Sequence, residues 1–171
     1  MNGAVSGPTA VEIKTGTMKL ELGTDAIVSA IGEENHKENN NGPSTSGYGI
    51  AVVENGSYKG NPSFTMNAGT VNGGIVIVRD NDTIKRIGTV TINGGTVNGI
   101  VGVRSDAVGT PEGTITVTGG TFDSATVLAY LSATGKSGIT LKGTDMSVSS
   151  DVTVPSTATV TVDSSTVLTV T

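Results

Sequence analysis

The side chains with the clearest chemical potential are two arginines and three aspartates in the middle of the chain. Arg79 and Arg104 lie close in sequence to Asp80, Asp82 and Asp106. Guanidinium groups bind carboxylates in a fork geometry, and paired carboxylates perform acid–base catalysis in glycosidases. Gathered in one groove, these residues could bind or cleave an acidic polysaccharide. The alternative is that the aspartates are solvated turn residues and the arginines form ordinary ion pairs.

Other catalytic chemistry has few candidates in this sequence. The chain has no Cys, and His36 is its single histidine, in a polar stretch. These counts exclude thiol catalysis and Cys-ligated metals, and they leave no second histidine for a metal site. The Asp-Asn-Asp run at 80–82 lacks the Gly and Glu of a calcium loop. We predict no cofactor and no metal, and we expect His36 to be a solvated loop residue.

Composition narrows the class of protein further. The 171 residues carry a net charge of −5, only 15% are charged, and 25 are Gly. Nucleic acid is an improbable partner because the few Lys and Arg residues are scattered. No apolar run approaches the roughly 18 residues of a membrane-spanning helix. The start carries no apolar leader, so we expect the chain to be part of a longer protein.

The strongest signal is an internal repeat of about 25 residues. Apolar and hydroxyl residues alternate in each copy, which predicts a strand with one buried and one wet face, and a Gly-Gly or Ala-Gly corner follows. A second strand-like run accompanies each copy. The copies lie at 63–72, 89–98 and 114–123, with a fainter one at 10–19, and the second runs lie at 50–54, 75–79, 100–104 and 125–129.

A unit of this size cannot bury its apolar face alone, so the copies are expected to stack. We predict a single all-β domain over 1–171, a right-handed parallel β-helix (β-solenoid) of five to six coils with about 25 residues per coil. Residues 32–48 read as an ejected polar loop, and 146–171 as tighter terminal strands. The segment 26–31 is the one place where we expect a short helical turn.

Stacking would align side chains in columns about 4.8 Å apart. Glu54 and Arg79 would then be neighbours, and we expect a surface ion pair worth less than about 1 kcal/mol. The columns at 67, 93 and 118 and at 72, 98 and 123 are predicted to be hydrogen-bonded ladders, with sugar contact as the alternative.

Two further groups are candidates for ligand binding. Thr65, Thr91 and Thr116 would form a hydroxyl column, which could contact sugars or order water. Tyr48 and Tyr58 flank one strand and could form a small stacking site for a sugar ring, although single tyrosines at coil corners are commonly packed.

Several strings resemble the Gly-Gly-Thr repeat proteins of gut-type bacterial cell surfaces. They are Thr-Val-Thr-Ile-Asn-Gly-Gly-Thr-Val, Thr-Gly-Gly-Thr-Phe, Gly-Tyr-Gly-Ile-Ala-Val-Val-Glu-Asn-Gly and the C-terminal Val-Thr-Val-Pro. The resemblance implies a β-helix similar to that of pectate lyases, an extracellular or cell-surface location, and adhesin-like contact with glycans or with host or bacterial surfaces. It supplies no catalytic signature.

The sequence therefore predicts a non-enzymatic surface or secreted module for adhesion, glycan contact or rigid display. Two alternatives stay open: a fragment of a polysaccharide lyase or hydrolase that uses the Arg and Asp group, and a purely structural spacer. Fold alone does not choose among them.

Overall fold

The computed structural model describes residues 1–17, 20–39, 41–81, 84–104 and 108–122, and four strands beyond them. No helix occurs in this part of the chain, and therefore none that could cross a membrane. The strands are β1 (Gly3–Gly7), β2 (Val11–Ile13), β3 (Leu20–Leu22), β4 (Ala26–Ala30), β5 (Asn35–His36), β6 (Thr45–Ser46), β7 (Ile50–Glu54), β8 (Ser63–Met66), β9 (Thr70–Asn72), β10 (Ile75–Arg79), β11 (Thr89–Ile92), β12 (Thr96–Asn98), β13 (Val101–Val103), β14 (Thr114–Val117), β15 (Thr121–Phe122), β16 (Ile139–Leu141), β17 (Met146–Val148), β18 (Val160–Val162) and β19 (Leu168–Val170).

The strands form a parallel β-solenoid of about four turns, with about 26 residues per turn. Sheet A has the order β1-β4-β9-β12-β15, sheet B the order β13-β10-β7-β2, and sheet C the order β18-β16-β14-β11-β8-β3. In the central turns each turn contributes one strand to each sheet, as with β9, β10 and β11, followed one turn later by β12, β13 and β14. The predicted all-β parallel β-helix is confirmed.

The core is the inside of this coil. Alternate residues of each strand point inward, because successive side chains of a strand project to opposite faces. Phe64 and Met66 of one turn stack on Val90 and Ile92 of the next, and all four are buried. Each turn covers the apolar edge of its neighbour, which is the burial that the repeat requires.

The two glycines of a Gly-Gly corner are required for different physical reasons. Gly95 adopts φ of +91°, a left-handed conformation that residues with a Cβ avoid. Gly94 has an ordinary φ, but a Cβ there would lie 2.6 Å from the carbonyl oxygen of Asn67 in the preceding turn. The first glycine therefore permits close stacking of the turns, and the second permits the bend.

Two local predictions at the N-terminal end were wrong. The fainter repeat copy at 10–19 is misaligned, because β2 stacks on β7 in sheet B while β3 is the strand that pairs with β8. The segment at 26–31 contains strand β4 rather than a helical turn. In both places long-range pairing decided the structure, and the local pattern was too short to show it.

Residues 32–48, called the strap below, are not an ejected loop. β5 and β6 pair antiparallel, and this hairpin folds back over the outer face of sheet B. As a result β7 and β10 are buried along their whole length. Tyr48, at the end of the strap, packs with the outward apolar side chains Ala51, Val53, Val76 and Val78.

The C-terminal strands extend the stack. β16 pairs with β14, β18 pairs with β16, and both continue sheet C in register. β17 and β19 form a further parallel pair. The predicted strand-like run at 125–129 and Asp123 lie outside the described residues.

Candidate functional site

The outer faces of sheets A and C form one continuous uncharged polar surface, called the polar wall below. Over three consecutive turns every described outward strand or strand-end position carries Ser, Thr or Asn, and none of these side chains is buried. Asp123, the next residue of the column at 72 and 98, lies outside the described residues. The wall consists of Ser63, Thr65, Asn67, Thr70, Asn72, Thr89, Thr91, Asn93, Thr96, Asn98, Thr114, Thr116, Thr118 and Thr121. Such a surface offers many neutral hydrogen-bond donors and acceptors in a fixed lattice.

The predicted hydroxyl column exists in the three described turns. Thr65, Thr91 and Thr116 are register partners in neighbouring strands of sheet C. The same register continues through the backbone of Thr140 and Thr161. At the N-terminal end the position is taken by Glu21, which pairs with Thr65.

The predicted side-chain ladders are confirmed in the described turns. The amide of Asn93 donates to Asn67 Oδ1 at 2.8 Å, and Thr118 Oγ1 donates to Asn93 Oδ1 at 2.6 Å. Asn98 likewise donates to Asn72 Oδ1 at 2.9 Å. These bonds hold the side chains of the two ladders in defined rotamers.

A small pocket marks the N-terminal end of the wall. It has a volume of about 230 Å³ and is lined by Leu20, Glu21, Ser63, Thr65 and Asn67. Asn67 Nδ2 donates to Glu21 Oε1 at 2.5 Å, so the carboxylate ties the first asparagine of the ladder in place.

Comparison with known proteins assigns the solenoid to no family. No family model, curated protein or solved structure matches this chain. The architecture of a parallel β-solenoid is established, and the resemblance to Gly-Gly-Thr repeat proteins stays a prediction made from the quoted residues.

Of the predicted Arg and Asp group, the structure describes Arg79, Asp80 and Arg104, and Arg79 and Asp80 do not face a common open groove. Arg79 and Asp80 are consecutive, so their side chains point to opposite faces of sheet B. Arg79 turns inward and is 4% exposed, while Asp80 turns outward under the strap and is fully buried. Asp82 and Asp106 lie outside the described residues.

The pair of Glu54 and Arg79 is buried, which corrects the expectation of a surface ion pair. Arg79 Nη2 lies 2.7 Å and its Nε 3.0 Å from Glu54 Oε2. Glu54 also accepts hydrogen bonds from the backbone amides of Gly88 at 2.9 Å and Glu112 at 3.0 Å. The pair lies inside the coil at the ends of β7 and β10, the neighbouring strands of sheet B that begin at Ile50 and Ile75. Its hydrogen bonds connect two successive corners of the coil.

Asp80 is the centre of a second buried polar cluster. Its Oδ1 lies 2.8 Å from His36 Nε2, and its Oδ2 accepts from Lys14 Nζ at 2.8 Å and Asn55 Nδ2 at 3.0 Å. Burial alone would raise the pKa of Asp80. The hydrogen bonds from His36 and Lys14, the charge of Lys14 and the bond from Asn55 outweigh it and lower the pKa below its ordinary value.

This cluster shows that His36 is a buried structural residue and not a solvated one. Its side chain is inaccessible to solvent and belongs to the strap, while Asp80 belongs to the coil. Lys14 Nζ also donates to the strap carbonyls of Asn39 and Gly42, each at 2.8 Å. The contacts therefore fasten the strap, and no group of three His, Asp or Glu side chains suited to a metal occurs among the described residues.

A neighbouring carboxylate holds the other arm of the strap. Glu12 Oε1 accepts from the backbone amides of Ser44 and Thr45 at 2.8 and 2.6 Å, and from Thr45 Oγ1 at 2.6 Å. Charge-assisted bonds of this kind are stronger than neutral ones. The strap is thus a fixed part of the fold.

Two of the predicted site residues, Tyr48 and Arg104, come together beside β10 and β13 of sheet B. The Arg104 guanidinium lies 5.8 Å from the Tyr48 ring centroid and donates to its hydroxyl. They line a groove of about 370 Å³ beside Glu34, Val76 and Gly102. Tyr48 is only 1% exposed, so its ring offers no open face for stacking.

Tyr58 lies at the other end of β7 and is half-buried. Its carbonyl oxygen accepts a hydrogen bond from Arg86 Nε at 2.9 Å. This contact is made by the main chain and not by the aromatic ring. The described tyrosines therefore do not present a paired aromatic platform, and the polar wall is the better candidate for ligand contact.

Sequence reasoning missed Glu21 and the roles of Glu12, Lys14 and Glu54. The signal that could have placed Glu54 inside the coil was the alternation of β7. Glu54 is at every second residue after Ile50 and Val52 and therefore shares their inward face. Glu21 had no such signal, because its strand β3 lies beyond the faint repeat copy at 10–19 and was not assigned to the repeat.

Proposed function

We propose that this chain is a non-enzymatic β-solenoid module that contacts uncharged polysaccharide through the polar wall. The observation that carries the proposal is the absence of charge among the described wall residues, together with the register of their hydroxyl and amide groups across three turns of sheets A and C. As part of the same proposal, the module belongs to a surface or secreted protein, as the resemblance to Gly-Gly-Thr repeat proteins implies.

The chemistry of the wall suits a polyhydroxylated polymer. Hydroxyl and carboxamide groups donate and accept, as sugar hydroxyls do, and threonine rotamers are restricted by branching at Cβ. Rows repeat about every 4.8 Å along the coil axis, so an extended chain can meet equivalent groups in successive turns. Each contact is weak, and affinity should rise with ligand length as contacts accumulate.

The test is binding of the purified chain to soluble and insoluble neutral polysaccharides. The variant Thr65→Val, Thr91→Val, Thr116→Val removes three hydroxyls from the wall and retains their shape. We expect it to lose most of the binding and to keep the unfolding midpoint of the wild type. Thr24→Val, at an exposed turn position outside the wall strands, is the control and should bind normally.

Three results would contradict the proposal. They are no binding to any neutral polysaccharide, binding that survives the triple substitution, and release of cleavage products from the bound polymer. The last result, if Arg104→Ala abolished it with the fold intact, would instead support the lyase or hydrolase alternative at the groove beside Tyr48.

One observation favours a second candidate, an ordered-water or ice-binding surface. Five threonine positions, from Thr65 to Thr161, share one register in sheet C. A flat row of hydroxyls could order water at regular spacing. Inhibition of ice recrystallisation by the wild type, lost in the same triple variant, would support this candidate, and no effect on ice would remove it.

A further inference from the structure

We propose that Glu21 forms a charged end subsite on the polar wall, and that it binds a free amino group on the sugar that meets this end of an otherwise neutral polysaccharide. This inference rests on the proposed function and names its ligand class. A protonated sugar amine would occupy the pocket of Glu21, Ser63, Thr65 and Asn67, and the sugars that follow would lie along the threonine column.

The position of Glu21 supports this assignment. It is an exposed residue in register with Thr65, so its carboxylate stands at the head of the column that continues through Thr91 and Thr116. Oε1 is held by Asn67 at 2.5 Å, which orients the carboxylate beside the pocket. The Met1 amino group bonds to the Glu21 carbonyl oxygen and not to the carboxylate.

The charges around the wall favour a cation at this place. The described wall positions carry no outward Lys, Arg, Asp or Glu, and Glu21 is the carboxylate at the head of the threonine column of sheet C. At the neighbouring corner, Lys85 is paired with Glu112 at 2.5 Å, and Arg86 donates to the Tyr58 carbonyl. The described residues contain no ion pair that neutralises the Glu21 carboxylate.

An ammonium group matches this pocket better than a hydroxyl or an acetamide does. Hydrogen bonds between an ammonium and a carboxylate are charge-assisted and shorter than neutral ones. Ser63, Thr65 and Asn67 supply oxygen acceptors around the same space. An N-acetylated sugar carries no charge, so it would gain only the neutral contacts that the rest of the wall also offers.

The experiment compares glucosamine oligomers with N-acetylglucosamine oligomers of equal length, at a pH where the amines are protonated. An exposed ion pair predicts about two- to fivefold tighter binding of the glucosamine oligomer to the wild type. Glu21→Gln retains an acceptor for Asn67 and should erase the preference without weakening the acetylated ligand. About 1 M salt should erase it as well, because the Debye length shrinks to about 3 Å.

Asp25→Asn is the matched control, because Asp25 is an exposed acid in the same turn but outside the pocket. It should keep the preference for glucosamine. Equal affinity for the two oligomers, or equal loss in both acid variants, would overturn the subsite. Failure of both oligomers and of every neutral polysaccharide to bind would instead contradict the proposed function itself.

Discussion

Replacement of Glu54 tests whether a buried ion pair holds the interior of the coil together. In Glu54→Leu the Arg79 guanidinium loses its partner where the side chain is only 5% exposed. The amides of Gly88 and Glu112 lose their acceptor as well. Removing one partner of a buried pair costs about 3–5 kcal/mol, and Glu112, 3.6 Å from Arg79 and partly exposed, compensates weakly.

We therefore expect the free energy of unfolding to fall by about 3 kcal/mol in Glu54→Leu. Arg79→Met leaves Glu54 with two backbone donors and should cost about 2–3 kcal/mol. The double variant replaces the pair by apolar side chains of similar length, so it should be less destabilised than the two single variants taken together.

Equilibrium urea unfolding followed by circular dichroism measures these differences, with the slope of the transition as a check that the unfolding reaction is unchanged. A loss of no more than about 1 kcal/mol in Glu54→Leu, together with additive effects in the double variant, is the behaviour of an exposed pair. That result would refute the buried arrangement and would support the surface ion pair predicted from the sequence.

Two other predictions concern the strap and the corners. Because the pKa of Asp80 is lowered in the native state, its contribution to stability is present above the unfolded pKa and is lost as pH falls through the native pKa. Urea midpoints of the wild type should therefore fall as the pH drops below the ordinary Asp value of about 4, and Asp80→Asn should flatten this decline. Parallel curves for the two proteins would show that Asp80 is not linked to folding. Gly94→Ala should cost more than about 1 kcal/mol because its Cβ would meet the Asn67 carbonyl oxygen at 2.6 Å. Ala68→Gly, at the equivalent corner one turn earlier, should cost less, and similar thermal midpoints for the two variants would contradict the close stacking of the turns.

Much of the fold could be predicted because its determinants are local and repeated. Alternation in Phe64 to Met66 and in Val90 to Ile92 marks strands with one buried face, and the constant step between copies sets their register. The ladder of Asn67 and Asn93 follows directly from that register. At the N-terminal end, where β2 and β3 are only three residues long, the same reasoning failed because too few alternating positions exist to fix the alignment.

The sequence by itself determined the repeated strands of the central turns, their stacking and the uncharged character of the described polar wall. Only the tertiary structure decided what covers each face. Glu54 and Arg79 are buried because closure of the coil turns their side of β7 and β10 inward, and Asp80 is buried because the strap returns over sheet B. Alternation is a property of neighbouring residues, whereas burial depends on segments distant in sequence, such as His36 and Lys14, that meet only after the chain has folded.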